Sequence, residues 1–398
     1  MGKKEDKKMA NSTMTMEQAL PHLGIKLPQT YPASMGHVAV SDLMIASALK
    51  LLLLIFAYLS VTIAFDKPFF PFMMDQNLYY KDILMIQLNP LVLLKGSDSY
   101  WANNTLYSRL VGFLGILFWG VPPFIMAVAV NLACSIITAV YVVKIYYCLV
   151  SESYINPRVI FYMIVLSPIL NAYTVLILRD TMIVTFFTMF IYYMLKNGYT
   201  GMFLVSLTLV GLRPLMGLLC VLLYFSRRVA RWLVQFRLWW LYLTILAVIV
   251  MAGLMVIGVE RVRVAIMFTE RMEGSDVSKI FGMGFLDEDA KGVGGKAKFL
   301  IRLTAIDGIL IPLLTYLTFI PCFRRSNRDM RIFLSMIVAM HFGVALIYLS
   351  ALKSFPARKL QMLIPVFYAA VFYYFNLRRG EKLQKLRAKL LYLSQFRK

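Results

Sequence analysis

The feature that most constrains this chain is the recurrence of apolar runs about as long as a bilayer is thick. A hydrocarbon core of about 30 Å takes about 20 helical residues to cross. Runs of that kind stand at 44–65, 122–147, 158–178, 180–196, 237–258, 299–319, 332–352 and 360–376. They are too uniformly apolar for the alternating strands of a barrel, the other structure that satisfies every backbone polar group in lipid. Composition agrees, because 60% of the residues are hydrophobic and 16% are charged, whereas soluble domains run at roughly 45–50% apolar and 25% charged. The expected fold is therefore all-α: a polytopic transmembrane helical bundle of about eight spans plus a re-entrant hairpin, with amphipathic helices on its outer surface.

The net charge of +22 comes from short basic clusters between apolar runs. That is the placement that orients membrane segments, and it argues against a nucleic-acid partner. Arg227, Arg228, Arg231 and Arg237 form one cluster, and Arg324, Arg325, Arg328 and Arg331 another. The tail from Arg378 to Lys398 holds eight Lys or Arg against the single acid Glu381. Placing all three clusters inside puts both termini in the cytoplasm. The chain then divides into an N-terminal cytoplasmic arm (1–43), a transmembrane bundle (44–376) with outer loops at 66–107 and 260–298, and a basic cytoplasmic tail (377–398) able to lie on anionic lipid. The second outer loop balances its charges, with seven cations against seven acids. The first apolar run starts near Leu43 with no small-residue cleavage site after it, so it is expected to act as an uncleaved anchor. His22, His37 and His341 make no zinc motif, and Cys134, Cys148, Cys220 and Cys322 show no ligand spacing, so no metal site is expected.

One stretch breaks the alternation. A single span over Gly201–Phe225 would carry Arg227 and Arg228 outside, and Arg213-Pro214 sits at its centre. Proline disrupts a helix, and a guanidinium in lipid is costly unless paired or wet. A re-entrant hairpin of two half-helices resolves both conflicts; the alternative is an ordinary kinked span with a miscounted neighbour.

The remaining polar residues are those that orientation leaves unexplained. Asp75 opens a segment, DQNLYYKDIL, with apolar residues at helical spacing, so it is either a helix cap or a carboxylate base facing a cavity. Arg179-Asp180 separates two apolar runs, as a helix start with a structural ion pair or as a ligand-binding pair. Asp307 lies within 299–319, five residues from Arg302. Lys353, Arg358 and Lys359 crowd the last outer connection, where cations are least expected. They either snorkel to headgroups or bind an anion such as phosphate.

The order of these pieces resembles the GT-C superfamily of polytopic glycosyltransferases, which use sugars carried on polyprenyl phosphate. The resemblance rests on Asp75 with DQNLYYKDIL in the first outer loop, then DSYWANNTLYSRLVGFLGILFWGVPP, then NPRVIFYMIVLSPILNAYTVLILRD, and finally PARKLQMLIPVFY. It covers about 44–196, and more weakly 351–376. The acids usually paired after the first helix appear here as Asp75-Gln76. The resemblance implies an integral membrane glycosyltransferase, most simply of a bacterial inner membrane, with membrane lipid around it and no cofactor beyond the lipid-linked donor. It would move a sugar to a glycan, lipid or protein acceptor on the outer side. Asp75 would be the catalytic base, and Arg358 and Lys359, with Lys353 or Arg213, would stabilise the phosphate leaving group. Arg179 and Asp180 would orient the sugar or hold the helix of Asp75. The related polymerases that join lipid-linked repeat units, of the O-antigen type, are similar in outline. A transporter or flippase of a lipid-linked or anionic substrate shares the apolar bundle.

Overall fold

The computed structural model describes residues 30–32, 37–59, 62–63, 74–92, 105–174, 179–235, 241, 244, 248, 295–352 and 361–395. Helix dominates these residues, as expected of an all-α fold. In chain order they form β1 (Tyr31–Pro32), α1 (Val40–Leu59), α2 (Met74–Leu88), α3 (Thr105–Leu117), α4 (Pro123–Leu149), β2 (Glu152–Ser153), α5 (Pro157–Val165), α6 (Pro168–Thr174), α7 (Asp180–Lys196), α8 (Tyr199–Leu212), α9 (Pro214–Gln235), α10 (Gly295–Arg325), α11 (Arg328–Leu352), a 3-10 turn (Gln361–Leu363) and α12 (Ile364–Gln395). Two of the described helices, α1 and α4, are long and apolar enough to cross a membrane. Leu52 and Phe56 of α1 are each 62% exposed, an apolar face that water would not favour.

Prolines set many of the boundaries. Pro123 occupies the first turn of α4, and Pro157 that of α5, where Asn156 caps by accepting from the Arg158 amide at 2.9 Å. A proline at N1 loses nothing, since its missing N–H would have no helical partner there. The run expected as one span over 158–178 is broken: α5 ends at Val165 and α6 starts at Pro168. Pro168 disfavours helical backbone at Ser167. α7 ends on Asn197, whose left-handed φ of 58° turns the chain at Asn197-Gly198.

α4 is the central helix and packs against α1, α2, α3, α5, α6, α7 and α12. Tyr146, Phe161, Phe187, Phe190 and Phe367 are fully buried around it. β1 and β2 form an antiparallel pair, with Tyr31 opposite Ser153. α12 is anchored to the same place, where the Tyr154 amide donates to Asn376 Oδ1 at 2.7 Å and Arg379 donates to the Tyr154 carbonyl at 2.9 Å. α12 runs unbroken across the 376/377 boundary assigned from composition, so its basic turns continue a buried helix. Likewise α1 begins at Val40, inside the segment assigned to the N-terminal arm.

The stretch 201–225 is two helices. Arg213 is extended, with φ −162° and ψ 111°, as a residue before proline prefers. α9 starts at Pro214 and packs back along α8. The close approach depends on Gly217, where an added Cβ would collide with Val210. Small residues let helix backbones approach in this way. Gly217→Leu is therefore expected to pry α8 from α9 and to destabilise the protein by about 1–3 kcal/mol, the usual cost of overpacking. Thermal unfolding in detergent checks this, with Gly217→Ala showing a smaller loss.

Candidate functional site

The two ends of α7 give convenient landmarks, the Asp180 end and the Lys196 end. α8 runs back from the Lys196 end, so that Arg179 Nη1 donates to the Leu212 carbonyl at 3.1 Å. That carbonyl is among those at a helix C-terminus without an intrahelical partner. The bond brings Arg179 and Asp180 to the turn that carries Arg213, whose Nη1 is shielded from solvent. Asp180 acts electrostatically on the buried Tyr107 of α3, with Asn131 of α4 beside it. The Tyr107 ring meets that of Tyr79 edge-on, with centroids 5.4 Å apart.

Tyr79 lies on α2 one turn after Asp75, which stands in that helix's first turn. Tyr79, Ile83 and Ile86 form the buried side of α2, which packs on α3, while Met85 and Leu88 are exposed, so the helix is less amphipathic than expected. Gly112 permits the contact, since a Cβ there would lie 2.6 Å from Ile86. Three of the residues singled out in the sequence, Arg179, Asp180 and Arg213, thus gather at one end of the bundle, and the helix of Asp75 is linked to them through the Tyr79–Tyr107 contact. For Asp75 the described part is its backbone position. Lys353, Arg358 and Lys359 lie outside the described residues, as do the side chains of Arg302 and Asp307 and the structure of 237–240 and 249–258.

A second polar centre lies deeper and was not anticipated. Lys50, on α1, is 1% exposed. Its Nζ donates to Ser135 Oγ of α4 at 2.7 Å and also bonds Asn171 Oδ1 of α6. Asn171 in turn donates to the Val165 carbonyl at 3.0 Å, across the break between α5 and α6. Ser135 lies one turn beyond Asn131 on α4, so polar groups continue down this helix from Tyr107 to Lys50. Lys50 is the only charged residue within 44–65. That fact was available, because an ionisable residue in an apolar span points to function by default. Deeper along α4, Thr138 and Thr185 share a hydrogen bond at 2.9 Å between α4 and α7.

Asp42 was likewise missed, being assigned to a polar arm. It is 4% exposed and accepts from Arg158 Nε and from the Tyr162 hydroxyl, both at 3.0 Å. These bonds clamp the start of α1 to α5 beside a cavity of about 380 Å³ that His37 also lines. Among the described residues no group of three or more His, Cys, Asp or Glu is placed to hold a metal ion.

What fold and site define is an α-helical protein with two membrane-length apolar helices and charged groups held between its helices. Comparison with family models, with curated proteins and with solved structures gives no match for the chain.

The Lys50 centre makes a cycle of variants informative. Asn171→Leu leaves the buried ammonium one partner short and is expected to cost about 1–3 kcal/mol. Lys50→Met, which keeps volume and removes the charge, is expected to be near neutral alone and to recover most of the Asn171→Leu loss. Thermal unfolding of the four proteins of the cycle checks this, and additive losses would show that the two side chains are not coupled.

Proposed function

We propose that the protein is a multi-pass membrane glycosyltransferase that moves a sugar from a polyprenyl-phosphate donor to an acceptor on the outer side, with the Asp180 end facing outward. The observation that carries this reading is the gathering of Arg179, Asp180 and Arg213 at one turn, with the helix of Asp75 linked to them through Tyr79 and Tyr107. Transfer from a lipid phosphate needs fixed positive charge for the departing anion and a base for the incoming hydroxyl. That end offers both types of group.

In this reading the Asp75 carboxylate takes the proton of the acceptor hydroxyl. The acceptor oxygen forms a bond to the anomeric carbon as the bond from that carbon to the phosphate oxygen breaks. Its electron pair leaves on polyprenyl phosphate, against the guanidinium of Arg213 and the cations of the Lys353–Lys359 connection. Arg179 and Asp180 orient the sugar and brace the turn. The hairpin of α8 and α9 re-enters from the cytoplasmic side, and both termini are cytoplasmic, as in a bacterial inner membrane. A repeat-unit polymerase would use the same groups with a longer acceptor.

Transport is the second reading. A buried Lys50 against the broken α5–α6 pair favours it, since transporters bind substrate where helices are interrupted. Mass spectrometry of lipid-linked and surface glycans, with and without the protein, separates the two. Transfer changes glycan structure, whereas transport changes only which side of the membrane the same lipid-linked species occupies.

Asp75→Asn is expected to lower transfer by on the order of 10²–10⁴-fold, the range of general-base catalysis, with insertion unaffected. Near-normal turnover would remove Asp75 from the base role. Arg213→Gln is expected to lower kcat by on the order of 10²-fold. Replacing Arg358 and Lys359 with Gln should weaken use of the lipid donor, and an unchanged apparent affinity would defeat their assignment to phosphate.

A further inference from the structure

The return of α9 along α8 creates a second cationic centre, at the Lys196 end and away from the proposed transfer site. There a cavity of about 440 Å³ is lined by four arginines, Arg227, Arg228, Arg231 and Arg328, together with tyrosines and a tryptophan. The arginines come from two packed helices, α9 and α11. As a sequence signal they were read only as an orienting cluster. Arginines that merely orient a chain project into water or headgroups. Arg227 and Arg231 are instead tied to the end of α7.

Arg227 is 6% exposed and donates to the Leu195 carbonyl, at the end of α7, at 3.2 Å. Its Nε is buried with no protein partner among the described residues. Arg231 donates to Asn197 Oδ1 at 3.2 Å. Arg228 donates to the Tyr224 hydroxyl at 2.8 Å, and its guanidinium lies 5.4 Å from that ring's centroid. Among the described residues, the carboxylate whose field reaches Arg227 is that of Asp329.

Four guanidinium groups around one cavity repel one another; Arg227 and Arg231 stand one helical turn apart, where like charges destabilise. An anion in the cavity removes that repulsion. Guanidinium groups suit one with several oxygens, because the planar fork matches phosphate. The tyrosines and tryptophan fit the level where aromatic side chains meet lipid headgroups.

We infer that this pocket binds a phosphate-class anion, borne by a lipid headgroup or free in solution. The site is independent of the transfer reading, lies at the opposite end of α7, and is tested without any transfer activity.

The test uses the full chain in a neutral detergent and follows its thermal unfolding. The probes are dioctanoyl phosphatidic acid against dioctanoyl phosphatidylcholine, and inorganic phosphate against chloride at matched ionic strength. Saturable stabilisation by phosphatidic acid or by phosphate, absent with its control, is expected. Saturation by the lipid alone assigns the source to the membrane, and saturation by both shows that the phosphate group suffices. The double substitution Arg228→Gln, Arg328→Gln changes two exposed residues and is expected to weaken half-saturation at least tenfold without altering unfolding in the absence of ligand. Stabilisation that the controls reproduce, or half-saturation unchanged in the double variant, overturns the proposal. Should that variant fold poorly, the wild-type protein still decides. A photoactivatable phosphatidic acid, with inorganic phosphate as competitor, is expected to label the 224–232 segment of α9. Labelling that spares this segment, together with no phosphate-specific stabilisation, rejects the site.

Discussion

A lysine amine buried among helices is the constraint on which the packing of α1, α4 and α6 depends. Lys50 cannot be left without partners in an apolar interior, because a buried polar group without hydrogen bonds costs about 1–3 kcal/mol. Its two acceptors come from different helices, so satisfying the charge fixes the rotation of α1 against α4. Asn171 reaches it only because α6 starts afresh at Pro168, and the amide of Asn171 closes over the Val165 carbonyl that the break exposes. One lysine thus ties a helix interruption to a helix register. Asp42, two turns earlier on α1, repeats the device against Arg158 and Tyr162. Between them these groups hold the buried side of α1, while its opposite side, with Leu52 and Phe56, stays exposed and apolar.

The second organising element is a proline. Pro214 disfavours helical backbone at Arg213 and the chain reverses there, so one apolar stretch is divided between α8, of 14 residues, and α9, of 22, which returns along it. The reversal sets both cationic centres. At its tip it delivers Arg213 to Arg179; at its base it returns Arg227 to the Leu195 carbonyl. An uninterrupted helix would have separated these groups by the thickness of the bundle.

What was legible in the sequence follows from this physics. Prolines and periodic apolar runs act locally, so the bounds of α7, the break at Arg213-Pro214 and a helix after Asp75 could be read directly. The meeting of Arg179 with the Arg213 turn was legible only as two separate anomalies, because nothing local states which helix packs on which. Lys50 and Asp42 were overlooked for opposite reasons. Averaging hydropathy over a span absorbs a single lysine, and a polar arm gives a single aspartate nothing to stand out from. Both are informative only once burial is known. The arginines of α9 were read correctly as basic and incompletely as orienting, since a count of charges does not register that a guanidinium is tied to a carbonyl.

The polar face of α4 joins these pieces into one arrangement. Asn131 stands beside Tyr107 near the Asp180 end, Ser135 holds Lys50 a turn deeper, and Thr138 meets Thr185 beyond it. Single interhelical hydrogen bonds in lipid are worth only about 0.6 kcal/mol on average, so stability alone is a weak reason to place an ammonium in this row. A leucine or methionine at position 50 would pack without desolvating a charge. The amine instead gives α1 a fixed orientation, because its two acceptors lie on α4 and α6 and both are reached from one face of α1.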